Sequence, residues 1–324
     1  MTKYLRVFAI GFLMLAFTGC SLRPGVYTKN SVVNSRDMEL PDEPAAEVKQ
    51  ESPLQTTPLP AVEKKAEEPV VPSEDVLLPG LKKLPVGERL TFSIRWMGLE
   101  AGKTTVTIKD IVKINGRDCY HIEAFSRTTY ILDVLFRIRD YHDSFVDVEE
   151  FYSHRFLKKA AEGEHTYDET NDFDYAQNKA FYVNKKKNHT KVTDLPGKVQ
   201  DIVSVSYFFR TRDVNIGDAV KLTLHSDEKN YDITINVLNK DKFKDDAGKD
   251  IPMFVIEPKA KRGTKEYKKG RAKIWVTDDD VRLPLFAELQ VIYAGKLNVV
   301  LISKENIFDS KPAAGNPAQD LVRA

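Results

Sequence analysis

The sequence predicts an all-β fold, mainly an antiparallel barrel or half-barrel with one short packed helix. Apolar and polar residues alternate in many short segments, as in residues 90–96, where Leu90, Phe92, Ile94 and Trp96 share one side. A period of two indicates a strand with one buried face. Turn-forming residues separate these segments, and many short strands at close spacing favour an antiparallel barrel or sandwich.

The alternation recurs along the chain at residues 104–108, 119–125, 136–145, 151–157, 220–224, 231–237, 253–256, 272–276, 285–292 and 297–302. The predicted turns are Asn115-Gly116, Asn171-Asp172, Asp227-Glu228, Ala247-Gly248, 278–280 and Ala294-Gly295. Residues 199–209 break the pattern with apolar positions at helical spacing, and Asp201 would lie in the first turn. We therefore expect one amphipathic helix, packed across a sheet face or at a barrel end.

The chain begins with the three-part pattern of a secretory signal peptide over residues 1–19. Lys3 and Arg6 precede an apolar stretch at 7–17, which is shorter than the ~20 residues that a membrane-spanning helix needs. Small residues then precede Cys20 and resemble a bacterial lipobox, which predicts lipidation of Cys20. An ordinary signal peptide that contains a cysteine is the alternative, and Phe17 departs from the usual aliphatic residue.

Residues 20–80 combine the lipidated cysteine with a segment rich in Pro and Glu that has almost no aromatic residue. Such a composition predicts a disordered tether. We expect a β-rich domain at 81–308 and a flexible tail at 309–324. Ser21 is not the aspartate that retains enteric lipoproteins in the inner membrane, so the periplasmic face of the outer membrane is the expected location.

Composition excludes some classes of function. A net charge of +1 argues against a nucleic-acid protein. No later segment is long and apolar enough to cross a bilayer. Cys119 is the only other cysteine, so lipidation of Cys20 would leave no intramolecular disulfide.

Five motifs follow one another along the chain, at residues 87–96, 101–102, 201–210, 215–218 and 274–284. In this order they resemble the family called domain of unknown function 3108, and the resemblance runs from residue 84 to about 307. Members are typically exported bacterial proteins with a barrel-like fold. The resemblance therefore implies a fold and a compartment, and it implies no established activity.

The sequence gives little support for a metal site, an acid/base site or a nucleophile. On a strand, Asp140 and His142 would share a face, which favours an ordinary polar face with Arg139 pairing Asp140 over a metal site. Residues 278–280 lack the calcium-loop pattern and predict a solvated turn. Cys119 with His121 is better interpreted as a small core residue than as a nucleophile. We predict no catalytic residues, no metal and no cofactor.

Two further sets of residues suggest binding. The aromatic strand residues could contact an apolar or amphipathic ligand: Trp96, Tyr120, Phe136 and Trp275. Two basic runs could contact an anionic surface, or could be solvated loops that protect sheet edges: Lys185, Lys186, Lys187, Lys261, Arg262, Lys268 and Lys269.

The leading hypothesis is a non-catalytic lipid-anchored envelope protein that binds an apolar or amphipathic molecule or an envelope polymer. The partners would be the membrane and a lipid, a glycan or an envelope protein, with no nucleic acid. One alternative is a scaffolding or assembly partner of envelope machinery. The other is a glycan-acting enzyme, which would need paired carboxylates in one cleft.

Overall fold

A computed structural model describes residues 81–245, 248–266, 270–291 and 295–309. The predicted signal peptide, Cys20, the predicted tether and nearly all of the predicted tail lie outside the described residues. The first eight strands are β1 Glu88–Trp96, β2 Leu99–Ile114, β3 Arg117–Thr128, β4 Ile138–Asp147, β5 Ser153–Glu162, β6 His165–Asp174, β7 Lys179–Asn184 and β8 His189–Asp194. The remaining strands are β9 Ala219–Ser226, β10 Lys229–Lys244, β11 Asp250–Arg262, β12 Lys265–Glu266, β13 Gly270–Thr277, β14 Pro284–Val291 and β15 Gly295–Asn306.

These strands form one antiparallel sheet that curves into an open half-barrel, which confirms the predicted fold class. The hydrogen-bonded order is β8-β7-β6-β5-β4-β3-β2-β1-β15-β14-β13-β11-β10-β9, with β12 added beside β11. The outermost strands, β8 and β9, are not paired with each other. Side chains link the two edges instead: Asn230 Nδ2 donates to the Asp194 carbonyl at 2.7 Å, and Thr193 Oγ1 donates to the Glu228 carbonyl at 3.3 Å.

Antiparallel pairing assigns every connection to one of two ends of the sheet. The tip end holds residues 97–98, 129–137, 163–164, 185–188, 227–228 and 263–264. The helix end holds residues 115–116, 148–152, 175–178 and 278–283, together with the start of β1. The chain also enters and leaves the predicted helix region at the helix end.

The predicted helix exists, but its predicted start is wrong. Helix α2 covers Ser204–Phe208 and continues as a 3-10 turn at Phe209–Thr211. Residues 199–200 are extended because the sheet holds their backbone: Ser153 N donates to the Val199 carbonyl at 2.9 Å, and Gln200 N donates to the Thr223 carbonyl at 2.8 Å. A second helix, α1 at Tyr130–Asp133, was not predicted and lies at the tip end.

The predicted strands overlap observed strands, although residues 136–137 and 151–152 precede β4 and β5 and residue 292 lies outside the described residues. The turn predicted at Asn171-Asp172 is wrong because both residues lie inside β6. The strands β6, β7 and β8 were not predicted. The reason is the polarity of the inner face. Residues on the concave face of β6 include Tyr167, Glu169 and Asn171, so apolar alternation is missing. The opposite half of the sheet has an apolar inner face, against which the side chains of α2 pack.

Candidate functional site

An apolar groove lies between α2 and the concave face of β10, β11 and β13. It encloses about 540 Å³, counting the part open to solvent. Its apolar walls are formed by Val205, Phe209, Ile233, Ile235, Ile256, Ile274 and Val276. Ligand pockets in proteins are typically concave and mostly apolar. The groove shares these two properties, so it is a candidate contact surface for an apolar ligand.

Arg282 closes the groove at the helix end. Its guanidinium lies against the ring of Phe254, and its Nε donates to the Arg212 carbonyl at 3.0 Å. Nη1 is buried without a hydrogen-bond partner, and Nη2 is 3.9 Å from the carboxylate of Asp213. The backbone of Arg282 has a φ of +47°, a conformation that is uncommon for a residue with a side chain. Asp279 stabilises this turn, because its Oδ1 accepts hydrogen bonds from the backbone N–H groups of Val281 and Arg282.

Arg210 also lines the groove, but its side chain is fully engaged. Nη1 and Nη2 donate to the two carboxylate oxygens of Glu88 at 2.6 and 3.0 Å, and Nε donates to the Val281 carbonyl at 3.1 Å. Both residues are only 3% exposed. This buried ion pair joins the 3-10 turn after α2 to the start of β1, so it fixes one wall of the groove.

Asp201 holds the opposite end of α2. Its side chain is completely buried, and Oδ1 accepts hydrogen bonds from the backbone N–H groups of Val203 and Ser204 at 2.7 and 2.9 Å. Oδ2 accepts from Ser144 Oγ at 2.5 Å and from Ser153 Oγ at 2.7 Å. Burial raises the pKa of the Asp201 carboxyl, while the hydrogen bond from Ser144 acts in the opposite direction. The aspartate thus caps the helix and ties it to β4 and β5.

The polar half of the concave face contains Asp140 and His142, which share a face of β4 as predicted. The expected pairing of Arg139 with Asp140 is wrong, because Arg139 donates instead to Asp133 at 2.6 Å. Asp140 points inward with no exposed surface, and neither of its carboxylate oxygens has a hydrogen-bond partner. The two residues therefore belong to the interior, not to an exposed polar face.

Burial controls the ionisation of this polar half. It raises the pKa of Asp140 to about 8, and the nearby charge of Glu162 acts in the same direction. Burial also raises the pKa of Glu162, against the opposing effect of Lys158, whose Nζ is 3.2 Å from Glu162 Oε1. The pKa of His142 is lowered to about 3, first by burial and then by the charge of Lys158.

Asp140 and Glu162 place two carboxyl groups in one half of the interior, which is the residue set that a glycan-acting enzyme would need. Since Asp140 has no exposed atom in this structure, a glycan could not contact it without a rearrangement. The geometry therefore favours a structural or electrostatic role over acid catalysis.

We predict that Asp140→Asn makes folding stability less dependent on pH. The folded carboxyl keeps its proton up to a pKa of about 8, whereas an unfolded aspartate loses it near 3.9. Between these values the folded state binds the additional proton, so the free energy of unfolding falls as pH rises. From pH 6 to pH 8, the wild type should lose about 2 kcal/mol more than Asp140→Asn.

Urea unfolding of the full chain at the two pH values measures this difference. Asp118→Asn is the control, because Asp118 is exposed and forms a surface ion pair with Lys113 at 2.7 Å. Such a pair contributes about 0–1 kcal/mol, and its loss should leave the pH dependence almost unchanged. Parallel pH profiles for the wild type and Asp140→Asn would show that Asp140 titrates normally.

The four aromatic residues predicted to bind a ligand do not converge. Trp96 and Tyr120 occupy inward positions, and the Tyr120 hydroxyl accepts a hydrogen bond from Leu84 N at 3.2 Å. Phe136 lies in the connection between α1 and β4, beside Gly163. Trp275 occupies the outer face, where its ring lies 5.1 Å from that of Phe286 and its Nε1 donates to Asp241. None of the four lines the groove.

The basic residues predicted to contact an anionic surface lie at the tip end where they are described. Lys185, Lys186 and Lys187 form the β7–β8 turn, and Lys261 and Arg262 end β11. Lys268 and Lys269 lie outside the described residues. Topology therefore brings two separate basic runs to the same end of the sheet.

The other candidate sites have structural roles. Cys119 is fully buried, and burial raises the pKa of its thiol to about 11, which disfavours the reactive thiolate. His121 bonds to Asp143 Oδ1 at 2.8 Å and stacks on Phe145. In the described parts of the chain, no three His, Cys, Asp or Glu side chains are grouped to hold a metal ion.

Sequence reasoning missed Arg282 and the groove itself. Arg282 follows three aspartates in a segment interpreted only as a solvated turn, and nothing local indicates that its side chain is buried. The groove walls come from residues more than 70 positions apart in sequence. The amphipathic pattern of the helix was the one feature of the sequence that indicated a wall of the groove.

These features define a β half-barrel with an internal helix and an apolar groove. The model of the family described as protein of unknown function (DUF3108) matches residues 91–302, and the chain belongs to this family. The resemblance inferred from the motifs is thereby confirmed. A comparison with curated proteins found no match.

Three solved structures are similar in part. A β-barrel-like protein of the domain of unknown function 1849 from Brucella abortus is 11% identical with a TM-score of 0.46, covering 69% of this chain and 99% of that one. A protein from Bacteroides fragilis described as exported, with a YmcC-like fold, is 9% identical, with a TM-score of 0.26 and coverage of 70% and 99%. A protein described as a lipoprotein from Parabacteroides distasonis is 8% identical, with a TM-score of 0.28 and the same coverage. No helix in the described ranges is long and apolar enough to cross a membrane.

Proposed function

We propose that this chain is a non-catalytic, lipid-anchored protein of the cell envelope that binds an amphipathic molecule with an anionic head group. The apolar part of the ligand occupies the groove between α2 and strands β10, β11 and β13. The head group pairs with Arg282. Cys20 carries the lipid anchor, and the periplasmic face of the outer membrane is the proposed location.

The observation that carries the proposal is the combination of an apolar groove with a buried arginine that has an unused donor. A buried polar group without a hydrogen-bond partner costs about 1–3 kcal/mol, and more when it is charged. Nη1 is itself buried, so the guanidinium would turn toward the groove to bind a ligand. A carboxylate or phosphate would then satisfy that donor through a charge-assisted hydrogen bond. The isoleucine and valine side chains beside it would contact a hydrocarbon chain.

The positions of the two arginines indicate which one binds. Arg210 already pairs with both oxygens of Glu88, so it has little capacity for a second anion. Nη2 of Arg282 is 3.9 Å from the carboxylate of Asp213, which is a long distance for an ion pair. That carboxylate is closer to Lys82 Nζ, at 2.7 Å. The ligand would therefore place its head group at the helix end and extend its chain along the groove toward the tip end.

We predict that Arg282→Gln weakens binding of the fluorescent fatty acid cis-parinaric acid to the full chain by about tenfold, because hydrogen bonds to charged groups contribute ~1.5–3 kcal/mol. Ile256→Trp should abolish binding, because the larger ring fills the groove at its centre. Fluorescence titration measures both dissociation constants, and urea unfolding checks that each variant is folded.

Arg271→Gln is the matched control, since Arg271 is an exposed arginine on β13 that does not line the groove. It should bind the probe as the wild type does. Probe binding that is absent from the wild type, or that survives Ile256→Trp, would contradict a groove ligand. A loss in Ile256→Trp without any effect of Arg282→Gln would reject the anionic head group.

A further inference from the structure

An exposed apolar surface, the apolar tip, lies at the tip end of the sheet. It is formed by the β1–β2 turn together with α1 and the residues after it. Its large side chains are at least two-thirds exposed: Met97, Leu99, Tyr130, Ile131, Val134 and Leu135. Scattered exposed apolar residues are ordinary, whereas a contiguous exposed patch marks an interaction site.

The two segments are held side by side. Thr129 N donates to the Ala101 carbonyl at 3.0 Å, and Thr129 Oγ1 donates to the Glu100 carbonyl at 3.1 Å. Asp133 also accepts hydrogen bonds from Arg139, which fixes α1 on the end of β4. The apolar side chains are thus presented by an ordered support.

Basic residues surround the apolar tip. Residues 95–103 and 127–139 contain five basic and two acidic side chains. Lys103, Arg127 and Arg139 lie directly opposite one another on β2, β3 and β4. Lys103 and Arg139 pair with the two acidic side chains, Glu100 at 3.5 Å and Asp133 at 2.6 Å. Arg95, Arg127 and Arg137 are exposed, so these three are placed to pair with an external anion.

We propose that the apolar tip inserts into the interface of a lipid bilayer that carries anionic head groups. Apolar side chains enter the boundary between head groups and acyl chains, while the surrounding Lys and Arg pair with lipid anions. The basic β7–β8 turn and the end of β11 lie at the same end and extend the charge complementarity. This surface does not depend on the groove ligand, and its test is separate.

Vesicle sedimentation with residues 20–324 carrying Cys20→Ala tests the proposal, because this chain lacks both the predicted signal peptide and the predicted lipid anchor. The protein should bind vesicles of equimolar phosphatidylglycerol and phosphatidylcholine more strongly than vesicles of phosphatidylcholine alone. The double variant Ile131→Asp/Leu135→Asp should lower the partition coefficient by about tenfold or more, because it removes two inserted side chains and adds two negative charges.

The control is Val192→Asp/Ile216→Asp, which adds the same charge at exposed positions on β8 and at the helix end. It should change the partition coefficient by less than about twofold, because these side chains lie away from the apolar tip. Arg282→Gln should bind vesicles as its parent does, which separates this surface from the groove. Equal binding by the tip variant and the control variant would overturn the proposal.

A photoreactive amino acid at Tyr130 in the lipidated full chain provides a second measurement in cells. Crosslinks to lipid support membrane insertion. A discrete protein adduct without lipid crosslinks would overturn it and identify the apolar tip as a protein-docking surface.

Discussion

Asp201→Ala should destabilise the folded chain by about 3–5 kcal/mol, because one substitution removes an acceptor from four buried hydrogen bonds. Two serine hydroxyls and two backbone N–H groups would lose their partner. Loss of a helix cap alone typically costs ~1 kcal/mol, and the buried serines add the rest. Urea unfolding of the full chain, followed by tryptophan fluorescence, measures the change.

Asp201→Asn separates the cap from the serine contacts. The asparagine Oδ1 can still accept from Val203 N and Ser204 N, so the cap is retained. The amide nitrogen replaces the oxygen that accepts from Ser144 and Ser153, whose hydroxyls can rotate and become acceptors. We therefore expect a smaller loss, about 1–2 kcal/mol.

Asp174→Ala is the matched control for both variants. Asp174 also accepts a hydrogen bond from a local backbone N–H, that of Gln177 at 3.0 Å, but at an exposed turn. Its loss should cost no more than about 1 kcal/mol, since water replaces the lost partner. If Asp201→Ala is no worse than Asp174→Ala, the buried network does not hold the helix.

The sequence predicted the half of the fold with an apolar inner face better than the half with a polar one. On β1, Leu90, Phe92 and Ile94 share the inner face and alternate with the polar residues Thr91 and Ser93, so the period of two is visible in the sequence. On β6, Glu169 and Asn171 face inward, so the same geometry produces no apolar period. When polar residues face the interior of the half-barrel, the strand has no apolar period of two and cannot be predicted from that pattern.

The candidate site was less accessible to prediction, because its contacts join distant parts of the chain. Asp201 was predicted in the first turn of the helix, but it lies before the helix, which begins at Ser204, and accepts from the backbone N–H groups at its start. Its serine partners are 48 and 57 residues away. Arg282 carries no periodic signal, and its burial follows from the packing of the turn against Phe254. Such contacts depend on which strands pair and in what register. A single sequence does not show the pairing of strands that are far apart in the chain.

Arg210→Met should also destabilise the chain by about 3–5 kcal/mol, because it leaves the buried carboxylate of Glu88 without its bidentate partner. Glu88→Leu should have a similar effect by leaving Arg210 unpaired. The double variant Glu88→Leu/Arg210→Met removes both charges and keeps apolar volume at the site. It should be more stable than either single variant by about 2 kcal/mol or more, since burying an ion pair carries a large desolvation penalty.

Thermodynamic coupling between the two substitutions is measured by urea unfolding of the four proteins. Lys82→Met is the control for a charge near the same end of the sheet, since Lys82 pairs with the exposed Asp213 at 2.7 Å and should contribute about 1 kcal/mol or less. Strictly additive losses at Glu88 and Arg210 would contradict a coupled buried pair.

The double variant also tests which arginine receives the ligand. Arg210 lines the groove, but its role in the proposed function is to position the wall, whereas Arg282 supplies the free donor. A folded Glu88→Leu/Arg210→Met chain should therefore bind cis-parinaric acid within about threefold of the wild type, because the head-group contact is retained. A loss as large as that of Arg282→Gln would contradict this assignment, because it would show that the groove wall or the anion contact depends on Arg210.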